Sequence, residues 1–345
     1  MRRRWRGPLA MSLAVVALMS LNLQAPQASL AQTPGVYIAL GDSIGAGIGS
    51  SLPRERGNAA IVASWLVTLS GEPVPFENLA VPGETAATFI AGGQLQRFRE
   101  TVARSKAAGI PIAAVSVSLG GNELLALDAG ALSDRQAGLD EFTARYSEAV
   151  AVVRSEIGPD TPLVVSTNYD LTEGDPEIRF SDSWWIEQFN TVIRDTAGEY
   201  GAQVAELSER FKGRISEYTL YPYDVHPSNQ GHAAIARAIW AALRLDTEPP
   251  SVTVPSSLEA TRSTPTISFT IRDNVGISSV NVSSDDVAIR GPFETASGEY
   301  SVLLDLGATD LEEVALTIEI GDDAGNVTRE VVTLQDAVGD RGESQ

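Results

Sequence analysis

The sequence predicts a parallel α/β domain, three layers deep, followed by a small all-β sandwich. Between Val36 and Leu245, short apolar runs alternate with stretches of helical periodicity, the rhythm of repeated βα units. After Asp246-Thr247-Glu248-Pro249-Pro250 that rhythm gives way to alternation with a period of two. The 345 residues also exceed what one core supports, since single cores rarely grow past about 250–300 residues.

The first element is a leader. Four arginines fall within the first six residues, and an apolar run from Leu9 to Leu23 follows, broken by Ser12, Ser20 and Asn22. A basic head, a short apolar core and a small-residue exit at Ser29-Leu30-Ala31 describe a secretory signal peptide over residues 1–31, cleaved after Ala31. A spanning helix needs about 20 predominantly apolar residues, so the expectation is a secreted, extracellular protein with no integral membrane span after processing. The sequence has no cysteine, which excludes disulfides and an acylated cysteine anchor.

The α/β domain is expected over residues 32–245. Val36-Tyr37-Ile38-Ala39-Leu40 is a short strand that ends at a tight glycine turn and hands Ser43 to a helix start. Ile61, Val62, Trp65, Leu66 and Leu69 recur at helix spacing. A run near Phe76–Ala80 precedes a helix carrying Leu95, Phe98 and Val102, and Pro111 to Leu119 reads as a buried central strand. Leu139, Phe142, Tyr146, Val150, Val153 and Ile157 mark a long amphipathic helix stopped by Gly158-Pro159. Leu163-Val164-Val165 is a strand, Ile186, Phe189, Ile193 and Ala197 mark a helix, Gln203-Val204-Ala205 is the last strand, and His232 to Leu245 is a closing helix. Such βα units imply a parallel sheet covered by helices on both faces.

Residues 246–250 read as a linker and 251–335 as the sandwich. Its alternating runs are Ile267, Phe269 and Ile271; Tyr300, Val302, Leu304 and Leu306; and Val314, Leu316, Ile318 and Ile320. Turn clusters at Asp273-Asn274 and Asp322-Asp323-Ala324-Gly325-Asn326 separate strands, and about six or seven short strands fit the span. The acidic turns read as solvated hairpins rather than calcium sites. Residues 336–345 read as a disordered tail.

Acidic residues outnumber basic ones 45 to 25, a formal net charge of −20. Without the four leader arginines the balance is 21 against 45, or −24. That charge repels nucleic acid and anionic head groups and favours solubility. With no basic patch outside the leader, a nucleic-acid partner is not expected.

Chemistry concentrates in four loop stretches. Gly41-Asp42-Ser43 presents a hydroxyl among backbone N–H groups that can receive a developing negative charge. Alone, the tripeptide also suits a plain βα loop with Ser43 as an N-cap. Asn78-Leu79-Ala80-Val81-Pro82-Gly83, Gly120-Gly121-Asn122-Glu123 and Asp224-Val225-His226-Pro227 favour the nucleophile reading. Ser43 follows the first expected strand, Gly83 the second, Asn122 the third, and His226 the fifth, so all four fall on the carboxyl edge where open α/β sheets bind ligands. Gly83 offers a backbone N–H, Asn122 a side-chain amide, and His226, held extended by Pro227, a base. The only other histidine, His232, opens a helix and caps or packs there. A zinc site would need two further ligands, so no metal and no cofactor are expected. Gly45-Ala46-Gly47-Ile48-Gly49 lacks the spacing of a dinucleotide loop and the Gly-Lys pair of a P-loop.

With these stretches the sequence resembles the SGNH (GDSL) hydrolase family of serine esterases and lipases, over roughly residues 36–244. The resemblance implies a flavodoxin-like three-layer α/β/α hydrolase domain. It also implies Ser43 as nucleophile, an oxyanion hole of Ser43, Gly83 and Asn122, and His226 as base. Gly41-Asp42-Ser43-Ile44-Gly45 also matches the G-x-S-x-G elbow of α/β-hydrolases, but only one strand precedes it, leaving no room for the upstream oxyanion loop. The family usually carries an aspartate three residues before the histidine. Here that position is Tyr223, and Asp224 stands two before His226. Candidates to orient the imidazole are therefore the Asp224 carboxylate, a backbone carbonyl and the Tyr223 hydroxyl. Asp224 is the assigned acid, because residues i and i−2 of an extended segment share a face. Glu123, where the family more often has aspartate, is assigned no role. Trp184-Trp185 are read as an apolar lip, or with at least one packed on its helix face.

The expected function is a secreted serine esterase acting on lipid, lysophospholipid or short acyl esters through a Ser–His acyl-enzyme. Alternatives are a carbohydrate acetylesterase, or a surface-binding protein with an inactive hydrolase-like domain. The texture after Pro250 resembles bacterial immunoglobulin-like modules, including their Asp-x-Ala-Gly-Asn turn.

Overall fold

A computed structural model describes residues 35–127, 130–254, 266–305 and 313–335. The leader over 1–31, Leu306 and the tail from 336 lie outside the described residues.

The first strand, β1 (Val36–Gly41), is buried at every position because its two faces meet different helices. Val36, Ile38 and Leu40 enter one core, and Tyr37 and Ala39 the other. A strand covered on both sides reads as an unbroken apolar run. The chain continues through α1 (Pro53–Arg56), α2 (Asn58–Ser70), β2 (Phe76–Asn78), α3 (Ala86–Ala91), α4 (Gly93–Ala107) and β3 (Ile112–Ser118). Next come α5 (Gly121–Leu127), α6 (Leu132–Ile157), β4 (Leu163–Ser166), α7 (Asp182–Tyr200) and β5 (Gln203–Ala205). The domain closes with α8 (Leu207–Phe211), α9 (Ile215–Tyr218) and α10 (Asn229–Leu243).

The five strands are parallel in the order β2-β1-β3-β4-β5. Helices α3, α4, α6 and α7 cover one face, and α2, α8, α9 and α10 the other. The expected three-layer α/β/α domain is therefore present. From β1 the chain steps one way to β2 and then crosses back to β3, so a crevice opens between the carboxyl ends of β1 and β3.

Local chemistry sets the element ends. Ser181 accepts from the Trp184 N–H to open α7, and Ser228 accepts from the Gly231 N–H to open α10. That cap starts α10 at Asn229, ahead of the His232 start expected from periodicity. Ser43 differs more. It lies in a turn-rich loop well before α1, not at the start of a helix.

Beyond Pro250 lie β6 (Ser251–Thr253), β7 (Thr266–Arg272), β8 (Ile277–Ser283), β9 (Ala288–Ala296), β10 (Glu299–Asp305), β11 (Glu313–Asp322) and β12 (Val327–Gln335). They form antiparallel sheets β6-β7-β10-β9 and β12-β11-β8. The alternating residues Ile267, Phe269, Ile271, Val302, Leu304, Leu316, Ile318 and Ile320 from both sheets share one core, so the all-β sandwich is present.

The segment over 246–250 has no regular structure and joins α10 to β6, but it is packed. Asp246 and Pro250 are buried, Thr328 Oγ1 donates to Pro250 O, and Arg237 of α10 pairs with Asp323 at 2.6 Å. One sequence reading needs correction: the acidic turns are not solvated hairpins, since Asp322 is buried. The cause is docking: Val275 and Ala324, next to those aspartates, pack against the α10 side of the first domain. Turn composition alone does not report such a contact.

Candidate active site

At the end of β1, Gly41 adopts φ +124°, and a Cβ there would sit 2.0 Å from Ser118 O. Only glycine permits this close approach to β3. The following loop is closed by Ala46 N–H to Asp42 O and Ile48 N–H to Ser43 O, both 3.0 Å. His232 secures its far side. Its Nε2–H donates to Ile48 O at 2.9 Å and its Nδ1 accepts from the Asn58 N–H at 3.3 Å. Burial lowers the His232 pKa to about 4, so this ring is neutral and structural.

Ser43 Oγ meets His226 Nε2 at 2.8 Å, and His226 Nδ1 meets Asp224 Oδ1 at 2.5 Å. An ionised carboxylate only accepts, so Nδ1 carries the proton and Nε2 accepts from the serine hydroxyl. Of the candidate orienters, Asp224 is the one brought to the ring; Tyr223 is 97% exposed. Asp224 reaches back because Oδ1 also accepts the His226 backbone N–H at 3.1 Å, a local turn that side-chain alternation alone did not anticipate. The bond to the imidazole holds the Asp224 carboxyl below the usual carboxylate range. The loop is held by Leu220 N–H to His226 O at 2.9 Å and by Tyr169, whose hydroxyl donates to Val225 O at 2.6 Å.

Gly83 and Asn122 line the same cleft as Ser43 and His226. Gly83 has φ +84°, and a Cβ would meet nothing within 4 Å, so backbone conformation rather than space favours glycine. Asn122 stands in the first turn of α5 and donates Nδ2–H to Glu84 O at 2.8 Å, which orients the amide and leaves its second proton available. Among the described residues, neither the Ser43 nor the Gly83 backbone N–H meets an acceptor.

Supporting residues went unnoticed in the sequence. Gln94 accepts from the Gly41 N–H at 2.7 Å and donates to Gly41 O and to Glu84 Oε2, joining the loops after β1 and β2. Its signal was available: Gln94, Phe98, Thr101 and Ser105 share the buried face of α4. Glu123, assigned no role, accepts the Ala86 N–H at 2.7 Å and ties α5 to the start of α3. Of the tryptophans, Trp185 is buried and lines the cleft, and Trp184 packs edge-on against it at 4.7 Å. The cleft holds about 640 Å³, walled by Ile44, Ile48, Leu124, Leu171, Trp185 and Ile186.

Asp42, beside the serine, is buried, and its pKa is pushed up to about 7, chiefly by burial and less by nearby Glu123. A folded pKa above the ordinary value of about 3.9 favours folding at low pH, and that contribution is lost as pH rises through about 7. Thermal stability should therefore fall between about pH 4 and 7 and level off above that. Asp42→Asn keeps an acceptor for the Ile44 N–H and should flatten this dependence, with a gain at pH 8 on the order of 1–3 kcal/mol. An unchanged pH profile in the variant would disprove the assignment.

The sequence profile of the GDSL-like Lipase/Acylhydrolase family matches residues 39–234, more than half the chain. Among solved structures, Axe2, an acetylxylan esterase from Geobacillus stearothermophilus, is similar at 19% identity and TM-score 0.47, over 62% of this chain and 97% of that one. LAE5, an alpha/beta hydrolase enzyme from the metagenome of Lake Arreo, Spain, is similar at 20% identity and TM-score 0.46, over 62% and 97%. A putative GDSL-like lipase from Parabacteroides merdae ATCC 43184 is similar at 16% identity and TM-score 0.46, over the same shares. No functionally curated protein matches the sequence.

Proposed function

Since the chain belongs to the GDSL-like lipase/acylhydrolase family of ester hydrolases, we propose that it hydrolyses carboxylic esters bearing an apolar acyl chain, with Ser43 as nucleophile. The observation that carries this reading is the 2.8 Å contact between Ser43 Oγ and His226 Nε2, with Asp224 behind the ring. Ser43 Oγ attacks the ester carbonyl while Nε2 takes its proton, and the Asp224 charge stabilises the imidazolium. The N–H groups of Ser43 and Gly83 and the free Asn122 N–H receive the oxyanion. His226 then protonates the leaving alcohol, and water repeats the sequence on the acyl-enzyme. The same proposal includes export, supported by the Arg-rich head and apolar run of residues 1–31.

The apolar cleft walls support an acyl chain rather than an acetyl group. A series of p-nitrophenyl esters of increasing acyl length tests this. Each methylene buried in the cleft is worth about 0.8 kcal/mol, so kcat/KM should rise up to about fourfold per methylene over the first few carbons. A maximum at the acetate, falling with each added carbon, would overturn the acyl-chain assignment and favour an acetylesterase. Hydrolysis of none of them would favour an inactive binding protein.

A further inference from the structure

Where the sandwich docks against the end of α10, three aspartates from distant parts of the chain converge. Asp246 follows α10, Asp273 lies in the β7–β8 turn, and Asp322 ends β11. One carboxylate oxygen from each lies within 4.8 Å of the other two. Among the described residues none of the three forms an ion pair, and Arg237 of α10 is bound to the neighbouring Asp323 instead. Three like charges held this close repel one another, most strongly where water is excluded.

A second observation points to a missing partner. Asp246 is only 4% exposed, and its Oδ2 is buried without a donor. Asp273 Oδ1 and Asn274 Oδ1 are also buried and accept nothing. The other oxygens are satisfied. Asp246 Oδ1 accepts from Glu248 N and Asn274 Nδ2, Asp273 Oδ2 from Val275 N and Gly276 N, and Asp322 from the backbone and side chain of Asn326. Hydrogen bonds thus orient each acidic side chain while several acceptors remain bare. Buried polar groups normally find partners, and here the buried atoms left without one are all oxygen acceptors, which suits a cation.

We propose that Asp246, Asp273, Asp322 and Asn274 form a calcium site that fastens the sandwich to the catalytic domain. All the available ligands are oxygens, which disfavours zinc and copper. Oxygens around one calcium ion at about 2.3–2.6 Å are up to about 5 Å apart, consistent with the spacing here. Magnesium demands a near-ideal octahedron at about 2.0–2.1 Å, whereas calcium accepts the irregular set of oxygens that three separate segments present. The ion neutralises the carboxylates and joins three segments: the end of α10, the β7–β8 turn and the β11–β12 turn. It stands apart from Ser43 and takes no part in ester cleavage.

The test uses the purified protein, stripped with EGTA and titrated with calcium while binding is followed by calorimetry and unfolding by circular dichroism. Calcium should bind with a stoichiometry of about one and raise the melting temperature by several degrees, with magnesium much weaker. In the same titration Asp273→Asn should lose the calcium response. Without calcium that variant should melt at or above the wild type, because one repelling charge is gone while an acceptor for the Val275 and Gly276 N–H groups remains. The opposite sign of its two effects separates a cation site from a merely structural aspartate. Absence of calcium binding in the wild type, equal effects of magnesium, or an Asp273→Asn variant that keeps the calcium shift would each overturn the proposal. Turnover of a soluble ester below the melting temperature should be unchanged by EGTA; a calcium-reversible loss in still-folded protein would contradict the separation from Ser43.

Discussion

Ser43→Ala should lower turnover of a soluble ester by at least about 10⁴-fold while leaving the melting temperature nearly unchanged. The large catalytic effect follows from the proposed chemistry, in which no other group forms the acyl bond. The small structural effect follows from the contacts. Among the described residues Ser43 Oγ has one hydrogen-bond partner, His226, and the loop is closed by backbone bonds and by His232. Residual rate would come from the oxyanion donors and substrate binding alone. Steady-state kinetics and a circular dichroism melt on the same preparation check both halves. Retention of about a hundredth of the wild-type rate would remove Ser43 from the nucleophile's role.

Asp224→Asn should lower kcat by at least about 100-fold with little change in KM. The carboxylate stabilises a charge that exists on His226 only in the transition state, so substrate binding should not register its loss. In proteases with a buried triad acid the corresponding loss is about 10⁴-fold. Here the Asp224 side chain is 46% exposed, and solvent screening reduces its share. Because the bond to the imidazole depresses its pKa, Asp224 is ionised throughout the neutral and alkaline range and is available as the acceptor behind the ring. A loss below about fivefold would leave a Ser43–His226 pair steadied by main chain.

The fold was legible where one chemical signal sufficed. Buried strands such as β1 and β3 appear as apolar runs, and the sandwich appears as alternation in β7, β10 and β11, because burial selects residues directly. The candidate site was legible for a related reason. Ser43, Gly83 and Asn122 each follow a strand, and a parallel sheet brings strand ends to one edge; His226 instead reaches that edge from the loop between α9 and α10. What escaped depends on contacts between distant segments. Gln94 on Gly41, Tyr169 on Val225 and Glu123 on Ala86 have no spacing that announces them. The docking of Val275 and Ala324, which buries Asp246 and Asp322, is of the same kind. The turn at Asp224 was legible in residue type but not in geometry, since an aspartate that bonds the N–H two residues on departs from simple alternation.

The most direct measurement of the central claim is mass spectrometry of the protein quenched during turnover of a slow p-nitrophenyl ester, followed by peptide mapping. One acyl group per chain should appear on the peptide that carries Ser43, forming with the burst of nitrophenol and disappearing as the ester is consumed. Turnover without any covalent adduct, or an acyl group on a residue other than Ser43, would contradict it.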